Sequence, residues 1–144
     1  MENLAASVRF ASGKDVEAIA ALVNRAADGQ ARTSVDEVSL LVSSRRFVVL
    51  DDHQGVLAAA VSVEPRGEGG WFSHLSVQPE RQGQRLGTRM VAIAEAMCQA
   101  MGCASVAATI DVDRDDVPNW YRRMGYAEDA PQRGRRHMRK ALAC

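Results

Sequence analysis

Residues 71–90 read WFSHLSVQPERQGQRLGTRM, and their types and spacing suit the binding of an anion. Residues 71–77 form a predicted strand, Pro79 breaks it, glycines follow at 83 and 87, and a helix opens behind them. A strand that delivers such a loop to a helix N-terminus presents first-turn N–H groups without intrahelical partners. They stand at the positive end of the helix dipole. Gly83 permits a tight turn, and Gly87 lets a ligand come close to the backbone. The loop is not a Walker loop, because no Gly-Lys-Ser/Thr follows. Its G-x-x-x-G spacing is not the dinucleotide fingerprint either. Taken alone, the glycines are equally well explained as the start of a helix. No Ser-His-Asp or Cys-His arrangement is evident. The cysteines (98, 103 and 144) are odd in number, lack metal-ligand spacing and read as reduced thiols, with Cys98 and Cys103 packed.

The surrounding elements follow in order. Residues 8–11 give a short strand, and Ser12-Gly13-Lys14-Asp15 is an N-cap pattern. Val16, Ile19, Ala20, Leu22 and Val23 then lie on one helical face, with Gly29 at or beyond the helix end. Ser34-Val35-Asp36-Glu37 is a capping box for a second helix with Val38, Leu41 and Val42 as its buried stripe. Residues 47–50 and 56–63 are strands of a hairpin across a turn at 51–55, and residues 64–70 are a predicted loop. The helix over 86–101 places Leu86, Met90, Ile93, Ala94, Met97 and Met101 on one face, with Gly102 as its C-cap. Residues 104–110 form a buried strand, and Pro118 sits in the first turn of a short helix stopped by Gly125. The tail makes a hairpin through 131–134 whose last strand, 137–142, is a basic, solvated edge. The element order is β-α-α-β-β-β-α-β-α-β-β, an α/β domain with a sheet of mixed direction.

Length and composition set the bounds. The 144 residues are read as a single domain, 1–144, with room for a sizeable core. Eighteen basic residues balance eighteen acidic ones, so nothing global calls for nucleic acid or a membrane surface. No apolar run approaches the ~18 residues of a membrane span. The start, MENLAASVRF, lacks a basic n-region and an apolar h-region, so a cytoplasmic location is expected.

Two segments resemble the GNAT superfamily of N-acetyltransferases. The first is Leu75-Ser76-Val77-Gln78-Pro79 followed by Gln82-Gly83-Gln84-Arg85-Leu86-Gly87 and Thr88. The second is Trp120-Tyr121-Arg122-Arg123-Met124-Gly125-Tyr126. The likeness spans residues 7–142 and is sharpest over 71–97 and 103–126. Arg85 stands where that family often has its middle glycine. A side chain is tolerable there if φ stays negative, and its guanidinium would add charge beside a pyrophosphate. The family's asparagine seven residues before the tyrosine is Arg114 here, so that contact is not carried over.

The resemblance implies the GNAT fold, a mixed central sheet of about six to seven strands flanked by about four helices. It implies acetyl-CoA as co-substrate, without a metal, in a cleft where the strands at 71 and 104 splay. The pantetheine arm would pair with the main chain of Leu75, Ser76 and Val77, and the pyrophosphate would lie on the amides of Gln82 to Thr88. Tyr121 is implied as the general acid, a phenol of pKa near ~10 protonating a thiolate whose conjugate acid is near ~8.5. A main-chain N–H near His74 and Leu75 would hold the oxyanion.

His74 is the candidate base, because an imidazole near ~6.5 suits proton abstraction. A histidine hydrogen-bonded within the sheet is the alternative. In a regular strand it shares a face with Phe72 and Gly70, which a bulge would change. Glu64 and Glu68 are backups acting through water, while His53 and His137 are expected at the surface. The acids at 111–116 read as a solvated loop with a helix cap, or as a rim attracting a cationic amine. Acceptor-lining residues are expected at 24–40 and 64–72. The implied activity is direct acetyl transfer to a primary amine of a small molecule or protein, in a possible homodimer. The alternative is a low-turnover acyl-CoA-binding regulatory or partner domain.

Overall fold

The computed structural model describes residues 7–26, 33–52, 56–81, 83, 85–110, 116–132 and 135–142. Strand β1 (Ser7–Phe10) leads through a single 3-10 turn (Gly13–Asp15) into α1 (Val16–Ala26). The Ser12 N–H donates to the Asp15 carboxylate at 2.8 Å, so the predicted cap forms. Arg9 clamps Asp15 at 2.8 Å and holds its carboxyl down at about 2, below the usual carboxylate range. Asn24 then bonds both main-chain groups of Thr33, tying the end of α1 to the start of α2 (Val35–Ser43). The Glu37 N–H donates to Ser34 Oγ at 3.0 Å, capping α2.

β2 (Phe47–Asp51), β3 (Leu57–Arg66) and β4 (Gly69–Val77) follow as antiparallel neighbours. The predicted loop at 64–70 is instead a tight hairpin, with Gly67 at φ +61° in its turn. Gly69 and Gly70 belong to β4. A Cβ on Gly70 would collide with Cys98 Sγ and come within 3.0 Å of Cys98 Cβ, so the glycine is there to let a helix approach the strand.

That helix is α3 (Leu86–Ala100). It is followed by β5 (Ser105–Thr109), α4 (Asp116–Arg123), β6 (Ala127–Gln132) and β7 (Arg135–Ala141). The seven strands run in the order β1-β2-β3-β4-β5-β7-β6, parallel only between β4 and β5. β7 therefore lies between β5 and β6, not at the edge expected from its basic sequence. A partner on each side buries His137, contrary to its expected surface position.

The sheet separates two cores. On one face α1 and α2 pack Ile19, Leu22 and Val38 against Phe47, Val49 and Ala60. On the other, α3 and α4 pack Met90, Ala94 and Tyr121 against Val61, Phe72 and Ala108. The buried side of α3 also takes in Val91 and Cys98, whereas Met101 is exposed. Burial pushes the Cys98 thiol up to about 12, as befits a packed and unreactive cysteine. Among the described residues no helix is long and apolar enough to cross a membrane.

Candidate active site

Pairing between the parallel strands β4 and β5 ends at Phe72 and Ala108, although β4 continues to Val77. Beyond that point the strands part, and a cleft of about 720 Å³ opens between them. Leu75 and Val77 line it from β4, Gly83, Arg85, Leu86, Gly87 and Thr88 from the loop and the first turn of α3, and Trp120 and Tyr121 from α4. The two stretches identified in the sequence thus meet across one cleft. Ser76 differs from its neighbours: its side chain is buried away from the cleft and donates to the His74 carbonyl at 3.1 Å. Only its main chain can serve a ligand. Gln82, Gln84 and Arg114 lie outside the described residues.

The loop is fastened from both sides. Arg25 at the end of α1 donates to Gln78 at 2.7 Å and to Glu80 at 2.9 Å, and Arg81 donates to Asp52 at 3.1 Å. Gly87 lets the Trp120 ring pack closely, because a Cβ there would lie 3.3 Å from the ring and push it back by a few tenths of an ångström. Arg85, the N-cap of α3, has φ +61° and ψ +24°. The expectation of a negative φ is therefore wrong: an arginine holds the left-handed conformation that a glycine would adopt without strain.

Left-handed backbone costs a side-chain-bearing residue about 1 kcal/mol or slightly more. Arg85→Gly should accordingly raise the melting temperature of the ligand-free protein by roughly 2–4 °C. If the guanidinium also attracts a bound phosphate, the variant will bind acetyl-CoA less tightly at low salt, and the difference will fade at high salt. Melts with and without acetyl-CoA at two salt concentrations check both effects. A fall in the ligand-free melting temperature would show that the side chain holds the loop in place.

Tyr121 is 4% exposed and is packed on three sides by aromatic rings. Trp120 lies 4.9 Å away, Tyr126 5.4 Å and Phe72 6.2 Å, centroid to centroid. Tyr126 is itself fixed by donating to Glu95 Oε2 of α3 at 2.7 Å; burial and that carboxylate raise its pKa far above the ordinary phenol range. Glu95 and Tyr126 thus support the wall on which Tyr121 rests.

At the gap between the strands β4 is bulged. Ala60 pairs with Ser76 and Ser62 with Ser73, so β4 carries one extra residue there, and His74 has φ +58°. The extra residue removes His74 from the face of Phe72 and turns it toward α2. Its Nδ1 lies 2.9 Å from Ser62 Oγ and 3.1 Å from Ser73 Oγ, and its Nε2 lies 3.4 Å from Glu37 Oε2. The ring stands 5.7 Å from that of Phe47. The histidine is hydrogen-bonded within the sheet and also lines a second cavity.

This second cavity, of about 800 Å³, lies on the α2 side and shares Ser73 and Thr109 with the first, so the two meet where the strands part. Its walls include Glu37, Leu40, Glu64 and Arg66, which fall within residues 24–40 and 64–72. Glu64 is committed to Arg66 at 2.8 Å, and Glu68 sits in the hairpin turn at the far end of β4. His53 and residues 111–115 lie outside the described residues. From the sequence His137 is expected at the surface, Thr109 is not singled out, and Glu37 reads as a cap within the 24–40 segment. The usable signal for Glu37 is its place in the first turn of a helix inside that segment.

A mixed α/β domain whose parallel strands part over a glycine-bearing helix start, with a tyrosine facing the gap, has the architecture of an acyl-transfer fold. The sequence pattern of the acetyltransferase (GNAT) family matches residues 16–126, and the chain belongs to that family. No curated protein matches the chain. Among solved structures it is similar to Ard1 from Thermoplasma volcanium, with a TM-score of 0.83 at 14% identity, covering 96% of this chain and 99% of that one. It is also similar to PaiA N-acetyltransferase from Thermoplasma acidophilum in complex with coenzyme A, with a TM-score of 0.80 at 12% identity over 95% and 99% of the two chains. N-acetylglutamate synthase from Neisseria gonorrhoeae, complexed with coenzyme A and N-acetyl-glutamate, gives a TM-score of 0.82 at 19% identity. That match covers 96% of this chain, which spans about a third of the synthase, 35% of its length.

Proposed function

We propose that the protein is an acetyl-CoA-dependent N-acetyltransferase acting on a primary amine by direct attack, without a covalent enzyme intermediate. The observation that carries this reading is the parting of β4 and β5 after Phe72 and Ala108, with Tyr121 and the glycine loop around one cavity and His74 beside the other. The residues present fit the co-substrate. The main chain of 75–77 continues past its last pairing with β5, and the first turn of α3 offers N–H groups where a pyrophosphate would lie. The coenzyme A complexes of the synthase and of PaiA support the same assignment.

Acetyl-CoA supplies an activated acetyl thioester and a thiol leaving group. The residues of the chain do the rest. His74, held by Ser62, Ser73 and Glu37, takes the proton from the incoming ammonium. A main-chain N–H of the bulged segment near His74 and Leu75 stabilises the developing oxyanion, and Tyr121 gives its phenolic proton to the departing sulfur.

The test is a thermal melt with acetyl-CoA followed by assay of thiol release. At one hundred times its dissociation constant a ligand of the native state adds ~2.7 kcal/mol, roughly 5–10 °C for this size. Such a shift together with amine-dependent thiol release is expected. A flat melt at millimolar acetyl-CoA would sink the assignment.

A further inference from the structure

We propose that the acceptor is a small amine that also carries a carboxylate, of the free amino-acid type; the proposal rests on the acetyltransferase reading above. The cavity beside His74 is lined by four arginines, Arg46, Arg66, Arg135 and Arg136, against two glutamates, Glu37 and Glu64. The lining glutamates and Glu128 offset part of that charge, and four guanidiniums against these three carboxylates leave a positive excess. Glu64 is shared by two guanidiniums, Arg66 at 2.8 Å and Arg46 at 3.6 Å. Glu37 faces His74, across the cavity mouth that adjoins the reacting centre. Arg136 is held from behind by Glu128, to which it donates at 2.7 and 3.0 Å.

A second observation is independent of the arginines. His137 is 1% exposed and lines the same cavity, and its Nε2 has no hydrogen-bond partner among the described residues. Asp129 Oδ2, at 3.6 Å, is beyond hydrogen-bond reach and is taken by Arg139 at 2.8 Å. A buried polar atom left in this state is costly. Nε2 is covered, so a carboxylate entering between the arginines reaches it only by a small shift of the His137 ring toward the cavity.

The geometry sorts the two ends of the acceptor. Its amine must reach Ser73 and Thr109, where the cavities join, and its remainder then occupies the arginine-lined space. A polyamine would place further positive charge against four guanidiniums. A carboxylate there gains charge-assisted and potentially bidentate bonds.

The experiment measures thiol release from acetyl-CoA by the full chain with the twenty free amino acids, their α-carboxamides, and spermidine. At least one free amino acid should surpass its carboxamide by roughly tenfold or more in kcat/KM. Arg46→Gln should reduce that advantage to about threefold or less, by raising KM for the acid more than KM for the carboxamide. Carboxamides or spermidine used as well as the acids would overturn the proposal, as would a panel in which no amino acid serves. In both cases an acetyl-CoA-induced rise in melting temperature would leave the acetyltransferase reading standing. No thermal shift and no release with any amine would bring down both.

Discussion

Tyr121→Phe is expected to lower kcat by about a hundredfold, at the lower end of the range for loss of a general acid, and to leave the acetyl-CoA dissociation constant nearly unchanged. The size follows from the leaving group. A thiol of pKa near ~8.5 departs as a tolerable thiolate at neutral pH, so its protonation lowers the barrier by a bounded amount. Affinity is spared because the ring, not the hydroxyl, makes the packed wall of the cleft with Trp120, Phe72 and Tyr126. Phenylalanine keeps that ring, and the melting temperature should stay within a few degrees of the parent. Single-turnover thiol release, alongside a binding titration, separates the two effects. Wild-type turnover in this variant would remove Tyr121 from the chemistry and return the acid role to water.

The bulge at His74 links the two cavities in a way that a regular strand would not. Along β4, Phe72 faces the α3 side while Leu75 and Val77 line the cleft between the strands. Because side chains alternate, an uninterrupted strand would send His74 to the face of Phe72. One extra residue opposite Ala60 and Ser62 keeps Ser73 and His74 together on the α2 side and returns Leu75 to the cleft. The same residue that breaks the ladder with β3 therefore lets His74 face the α2-side cavity while Leu75 and Val77 face the cleft.

This is also where the sequence stops being legible. The elements were marked by local chemistry: Ser34 and Asp15 at helix starts, Pro118 inside a first turn, Gly102 and Gly125 past helix ends. The loop, Tyr121 and their shared cleft followed from two motifs at the right separation. A bulge, by contrast, is a one-residue mismatch between two strands, and Ser73-His74-Leu75-Ser76 has no composition that announces it. The position of β7 inside the sheet is likewise a matter of strand order, so a basic segment that reads as an edge became the strand that buries His137. The 66–69 hairpin was hidden because Gly69 and Gly70 resemble loop residues. What they meet, Ser105 and Cys98, comes from elements 28 to 36 residues further on. Arg85 shows the limit from the other side, since a left-handed N-cap is the geometry of glycine and the arginine there conceals it.

Phe72→Ala should be the most damaging single substitution in the cleft wall, costing about 3 kcal/mol of stability and lowering the melting temperature by roughly 6–12 °C. Phe72 is 1% exposed and stands at the last rung between β4 and β5, opposite Ala108. Its ring meets Tyr121 at 6.2 Å and Tyr126, edge-on, at 6.3 Å. Truncation loses the burial of the ring and leaves a void that neighbours fixed by the sheet cannot collapse to fill. The site borders an open cleft, so water can enter the void, which places the cost at the low end for a buried phenylalanine. Activity should fall further than stability alone requires, because Tyr121 loses one of its three supporting rings. Phe72→Leu, which keeps most of the volume, should cost less than about 1.5 kcal/mol. Paired melts and kcat measurements below the transition temperature distinguish the effects. If Phe72→Ala loses stability yet keeps its kcat, Trp120 and Tyr126 alone suffice to aim the phenol.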